Sequence, residues 1–203
     1  MNNFSKIINN KIKVSRLELL DDYYLINESR QISLIGRREV FMGRAKFGVF
    51  GDGKELAQIA MSKVFRNGDI RSGYYRDQTF MMAIDQLTSE QFFAQLYANT
   101  DITKDPHSGG RQMNAHFGTR MLNRYGDWKT LTDIKNSSSD ISCVAGQMPR
   151  IIGLGYASKL YRNNKDLDHS HDFSINGNEI AFGTIGNAGT SEAHFWEAMN
   201  AAG

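Results

Sequence analysis

The sequence holds one cysteine, Cys143, among its 203 residues, which excludes an internal disulfide and makes a reducing compartment the simpler assumption. No apolar run approaches the ~20 residues that a membrane-spanning helix needs, so no membrane segment is expected. The basic start, MNNFSKIINNKIKVSR, lacks the apolar core and small-residue cleavage site of a secretory signal, and a cytoplasmic location is the default. An excess of one charge is also missing. The 24 Lys and Arg stand against 22 Asp and Glu, and a net +2 gives no field strong enough to make nucleic acid or membrane the main partner. A sequence pI of about 8.6 still leaves room for an anionic small ligand. The length allows one good core, as one domain or one domain with an appendage.

What is present alternates between helical and turn signals. Residues 15 to 42 mix Leu17, Leu19, Leu20, Tyr24, Leu25, Ile32, Ile35 and Phe41 with charges at helical spacing, predicting one or two amphipathic packing helices. Gly48–Gly53 reads as a turn that opens a helix from Lys54 to Phe65, with Leu56, Ile59, Ala60 and Val64 on one face. A helix over Gln78–Asp85 follows, and Thr88 to Gln91 fits a capping box that opens another. Residues 99 to 123, with Pro106 and several glycines, form a long loop of the kind that is usually functional or disordered. A polar run, Asn136–Asp140, precedes an apolar segment from Gln147 to Leu160 that should be a buried helix starting near Pro149. Residues 162 to 178 read as a hydrophilic connector, and Ile180–Ile185 as a short, fully buried strand that runs into a further helix with Phe195, Ala198 and Met199. Strands separated by helices predict an α/β fold with a parallel sheet. The helical pattern still runs at Asn200–Gly203, so the fold is expected to be incomplete at the C-terminus.

Three segments have the composition of a binding site. Small residues in Gly186-Asn187-Ala188-Gly189 let backbone approach a ligand, and the amides of the helix start that follows can donate to phosphate. A side chain at 187 would face the crevice beyond the strand and reach a hard cation. An ordinary strand-to-helix turn capped by Thr190 or Ser191 explains the same residues. In Gly73-Tyr74-Tyr75-Arg76-Asp77, the guanidinium and a phenol hydroxyl suit an anion, and a surface ion pair with Asp77 is the plainer alternative. Ser142–Gln147 lies between a polar loop and the apolar helix, where backbone carbonyls and a small hydroxyl can meet a heteroaromatic ring. Cys143, with no paired histidine, reads as a packing residue rather than a nucleophile. His169 and His171 read as solvated loop, without the further ligands that a metal needs, and His116 as a residue that orders the long loop.

In their order and spacing, GYYRDQT, GGRQMNAHFG, ISCVAGQMP and IGNAGTSEAHFWEAMN resemble the alpha chain of the thiamine-diphosphate-dependent decarboxylating component of 2-oxo acid dehydrogenase complexes, branched-chain type. GDGKELAQIA is similar to that family's Gly-Gln-Glu-Ala turn, which puts Gly53 and Glu55 near the cofactor entrance. The resemblance implies a thiamine-diphosphate-binding α/β fold with a parallel sheet flanked by helices, divided into a helical extension over 1–44 and a diphosphate-side domain over 45–203. By position, Tyr75 and Arg76 would hold the diphosphate with Tyr74 beside them in the cofactor site, Ser142 and Val144 would receive the aminopyrimidine, and Gly186, Asn187 and Ala188 would form the metal-binding turn, with Asn187 on Mg2+. Asn187 stands where the family carries an acid and Ala188 where it carries glycine, so weaker Mg2+ binding and a more crowded phosphate are expected. The family's second metal ligand would lie past Gly203. The resemblance further implies a small 2-oxo acid substrate, a beta chain or fused beta-like half, and a lipoyl-bearing acyltransferase that takes the acyl group. It places no general acid or base among these residues. A non-catalytic paralogue that keeps the fold for binding or assembly is the alternative, and the departures at 187 and 188 favour it.

Overall fold

The computed structural model describes residues 15–167 and 172–203, so His169 and His171 lie outside the described residues. Helix α1 runs over Arg16–Phe41 as one piece. The Ser15 hydroxyl opens it by accepting from the Glu18 N–H at 3.0 Å, and Gly43, at φ +72°, turns the chain away at its end. Its buried stripe is Ser29, Ile32, Ser33, Gly36 and Glu39, at spacings of three and four. Leu17, Leu19, Leu20, Tyr24, Ile35 and Phe41 are exposed, contrary to the packing role expected of them. Small residues win the stripe because partners approach closely: a methyl added at Gly36 would sit 2.4 Å from the Phe50 ring.

Helix α2, Glu55–Ser62, is shorter than predicted and turned differently. Leu56 and Val64 are 74% and 71% exposed, and the buried face is Glu55, Gln58, Ile59 and Ser62. Its polar members are satisfied: Gln58 accepts from the Phe80 N–H at 3.0 Å and donates to the Arg76 carbonyl at 2.8 Å. Helices α3, Gln78–Ala83, and α4, Ser89–Leu96, follow, and α4 carries the complete capping box of Thr88 and Gln91. Residues 99–123 contain no helix or strand, and buried Asp105 orders part of them by accepting from the N–H groups of His107, Ser108 and Gly110.

The sheet is small and wholly parallel. Strands β1, Ile70–Arg71, β2, Asn136–Ser137, and β3, Ala181–Phe182, lie in the order β2-β1-β3, with Arg71 opposite both Ser137 and Phe182. Neighbouring side chains alternate between the two faces. Phe182 stacks on Phe80 at 5.4 Å and meets Phe65 edge-on at 5.9 Å, joining the core of Ile32, Met81, Ile84, Leu87, Phe92 and Phe117. Truncating a fully buried phenylalanine here, Phe80 or Phe92, costs about 3–5 kcal/mol. Ala181 faces the other way, toward helix α5, Gln147–Asn163.

Three expectations need correction. The polar run at 136–140 is not a loop ahead of the core but contains β2, where Asn136, Ser137 and Asp140 are buried. Burial is tolerated because Asn136 donates to the carbonyls of Leu131 and Ile134, and Ser137 and Asp140 accept from the Arg71 guanidinium. Strand β3 is half-buried rather than fully buried, and α5 starts at Gln147, which is its only buried residue among those described. The outer face of α5 shows Tyr156 and Leu160 to solvent. A 3-10 turn, Asn187–Ser191, leads from β3 to helix α6, Ala193–Ala202, which packs on α5. Neither Thr190 nor Ser191 caps α6: its N-cap is Glu192, and the Thr190 hydroxyl donates to the Asn187 carbonyl.

Candidate cofactor site at the carboxyl ends of the strands

Parallel strands release their following loops on one side of the sheet, where ligands bind in open α/β folds. The loops after β1, β2 and β3 are drawn together from beneath by Arg71, whose side chain is fully buried. Its guanidinium donates to Asp77 Oδ2 at 2.9 Å, to the Tyr74 carbonyl at 3.1 Å, to Ser137 Oγ at 2.7 Å and to Asp140 Oδ2 at 3.1 Å. Thr184, beyond β3, donates to the same Asp77 oxygen at 2.5 Å. Burial opposes the Arg71 charge, and Asp140 and Asp77 more than offset it, so the guanidinium holds its proton more tightly than usual. Burial also pushes the Asp77 carboxyl above the ordinary carboxylate range, with Arg71 pulling against it. This cluster escapes sequence reading, because its acids and its arginine are up to 69 residues apart.

Above the cluster lies a cavity of about 520 Å³. Tyr74, Tyr75 and Arg76 enter it from the β1 loop, Val144 from the β2 loop, and Gly186, Asn187 and Ala188 from the β3 loop. The β1 and β3 loops touch: a methyl added at Gly186 would lie 3.6 Å from the Tyr74 ring. Burial and the charge of Asp77 raise the Tyr74 hydroxyl above the usual tyrosine value, which keeps it a neutral O–H donor. The Arg76 guanidinium stands 5.3 Å over the Tyr75 ring, and its side chain has no carboxylate partner among the described residues. The first amides of the 3-10 turn, at Asn187 and Ala188, precede its earliest internal bond, from the Gly189 N–H to the Gly186 carbonyl at 2.9 Å.

Ser142 is the sequence-predicted member that does not line the cavity. Its hydroxyl is 2.7 Å from His116 Nε2, and His116 Nδ1 is 3.1 Å from the Asn114 carbonyl. Since a carbonyl only accepts, Nδ1 donates there, and Nε2 pairs with the Ser142 hydroxyl. His116 thus orders the loop, as expected of it. Cys143 is exposed and lines the cavity instead of packing in the core. Sequence reasoning missed two further members. Gln147 faces the cavity and donates to the Thr184 carbonyl at 2.8 Å, and Lys54, from the turn before α2, reaches it as a second cation. Ala145, also lining it, holds φ at +59°, a left-handed conformation costing about 1–2 kcal/mol in a residue with a Cβ.

The arrangement is that of an α/β protein with an anion-collecting crevice at the carboxyl edge of a parallel sheet. Residues 37–203 match the family described as Dehydrogenase E1 component, and the chain belongs to that family. It is similar to the 2-oxoisovalerate dehydrogenase subunit alpha of Bacillus subtilis (strain 168), with 29% identity over 78% of this chain and 39% of that protein. It is also similar to the mitochondrial 2-oxoisovalerate dehydrogenase subunit alpha 1 of Arabidopsis thaliana, with 28% identity over 78% of this chain and 27% of that protein. The chain therefore spans between about a quarter and two fifths of the length of these relatives.

The residues present fit one of the groups that the family implies and not the other. A diphosphate-bearing cofactor fits, since the cavity is of ligand size and offers Arg76, Lys54, the Tyr74 hydroxyl and turn amides. Mg2+ does not fit on these residues, because none of those lining the cavity is acidic and no three His, Cys, Asp or Glu gather for a metal among the described residues.

Proposed function

We propose that this chain is the diphosphate-side part of a thiamine-diphosphate-dependent component that oxidatively decarboxylates a 2-oxo acid, branched-chain or pyruvate, and passes the acyl group to a lipoyl domain. The carrying observation is the cavity in which the Arg76 loop and the Gly186–Ala188 turn meet. Bound there, thiamine diphosphate would supply the carbon nucleophile and electron sink. Arg76 would fork onto phosphate oxygens, Tyr74 and the amides of Asn187 and Ala188 would add donors, and Val144 would pack against the ring. These residues bind and orient; none is assigned a proton-transfer role, which falls to a beta chain or fused beta-like half. A non-catalytic assembly role is the second reading, favoured by Asn187 and by the absence of an acid from the cavity lining among the described residues.

Calorimetric titration of thiamine diphosphate separates the two. Arg76→Ala is expected to weaken binding by ~1.5–3 kcal/mol, the worth of a charge-assisted hydrogen bond. A folded chain that binds nothing supports the assembly role, and unchanged affinity in the variant removes Arg76 from the site.

A further inference from the structure

Acidic residues flank both cavity cations in sequence, yet each acid is committed elsewhere. Glu55, next to Lys54, is gripped by Arg30 of α1 through two bonds of 2.6 and 2.9 Å. Asp52, on its other side, pairs with Arg37 of α1 at 2.6 Å. Asp77, next to Arg76, is folded inward onto Arg71 and Thr184. Lys54 itself has no side-chain hydrogen bond or ion pair among the described residues, and α2 takes no side-chain cap from it. The Lys54 turn also sits against the Arg76 loop: a methyl added at Gly51 would lie 2.7 Å from the Arg76 carbonyl. Three arginines thus strip the neighbouring carboxylates from two cations that line one cavity, and among the described residues no acid lines it in return.

From this we infer that Lys54 and Arg76 together hold the diphosphate and that binding needs no divalent cation. Phosphate oxygens that a metal would otherwise neutralise face two side-chain charges. The amide of Asn187 belongs to the same design, because a carboxylate at that position would repel the phosphate unless a cation stood between them. The inference rests on the cavity being a thiamine diphosphate site, and its failure is separable from failure of that reading.

The test is equilibrium titration of thiamine diphosphate into the 203-residue chain, in EDTA and then in Mg2+, with inorganic diphosphate in EDTA as a second probe. Thiamine diphosphate is expected to bind in EDTA with an affinity close to that in Mg2+. Lys54→Met should weaken the EDTA value by roughly 10- to 100-fold, as for a lost charge-assisted contact. Asn187→Asp should weaken binding in EDTA and regain it with Mg2+. Binding that appears only with Mg2+, or an unchanged affinity in Lys54→Met, overturns the metal-free arrangement and leaves the site standing. Binding of inorganic diphosphate without thiamine diphosphate keeps the cation pair and removes the thiamine reading. If neither probe binds under any condition, both fall.

Discussion

Arg76 and Asp77 are adjacent in sequence and opposite in fate: the arginine faces a cavity without a counter-ion, while the carboxyl is driven inward onto Arg71. The backbone from Tyr74 to Asp77 makes this division possible, since the Tyr74 carbonyl and the Asp77 carboxylate both bind the same guanidinium. Arg71 is therefore the residue on which the site's shape depends. Arg71→Met would leave Asp77 and Asp140 buried without their cation, at a cost of about 3–5 kcal/mol. For a chain of this size, the melting temperature should fall by roughly 6–20 °C. Neutralising the acids as well, with Asp77→Asn and Asp140→Asn, should recover much of the loss. A thermal melt of Arg71→Met that coincides with that of the parent chain would show the cluster to be energetically idle.

At the scale of elements, α1 does more than extend the chain. It fills part of the core through Ile32, supplies Arg37 to the turn before α2 and Arg30 to the first residue of α2, and ties its own end to the end of α4 through Glu39. The Glu39 carboxylate accepts from Arg44 at 2.6 Å and from the Tyr97 hydroxyl at 2.6 Å, and these partners, Arg44 first, hold its pKa at about 2 against an ordinary 4.5. A lowered pKa contributes stability that is present above the unfolded value and is lost as the folded value is approached. Glu39→Gln should accordingly be less stable than the parent above pH 4.5, with the difference closing as pH falls toward 2. Urea denaturation followed across that range checks it, and a gap independent of pH would show that the Glu39 charge is not the source of the linkage. The capping box at Thr88 was legible in sequence because its residues are three apart and need no other element. The buried faces of α1 and α2 were not legible, because side-chain polarity does not reveal that Ser29, Glu55 and Gln58 find partners across the helix layer. The apolar character of α5 likewise shows what a helix can bury, not what covers it.

For the whole molecule, the candidate binding residues lie in contiguous strings of sequence, and the fold brings seven of the eight to the lining of one cavity. The eighth, Ser142, turns to His116 instead. The parallel sheet was also foreseeable, as the consequence of strands alternating with helices. Lys54 and the Arg71 cluster were not, because each depends on which distant carboxylate meets which arginine. That pairing is also why a chain with nearly balanced charge can present an unbalanced cavity. The most direct measurement is a crystal structure of the chain grown with thiamine diphosphate. Diphosphate oxygens are expected within hydrogen-bond distance of the Arg76 guanidinium and of the amides of Asn187 and Ala188. A diphosphate bound at another surface, with this cavity empty, would contradict it.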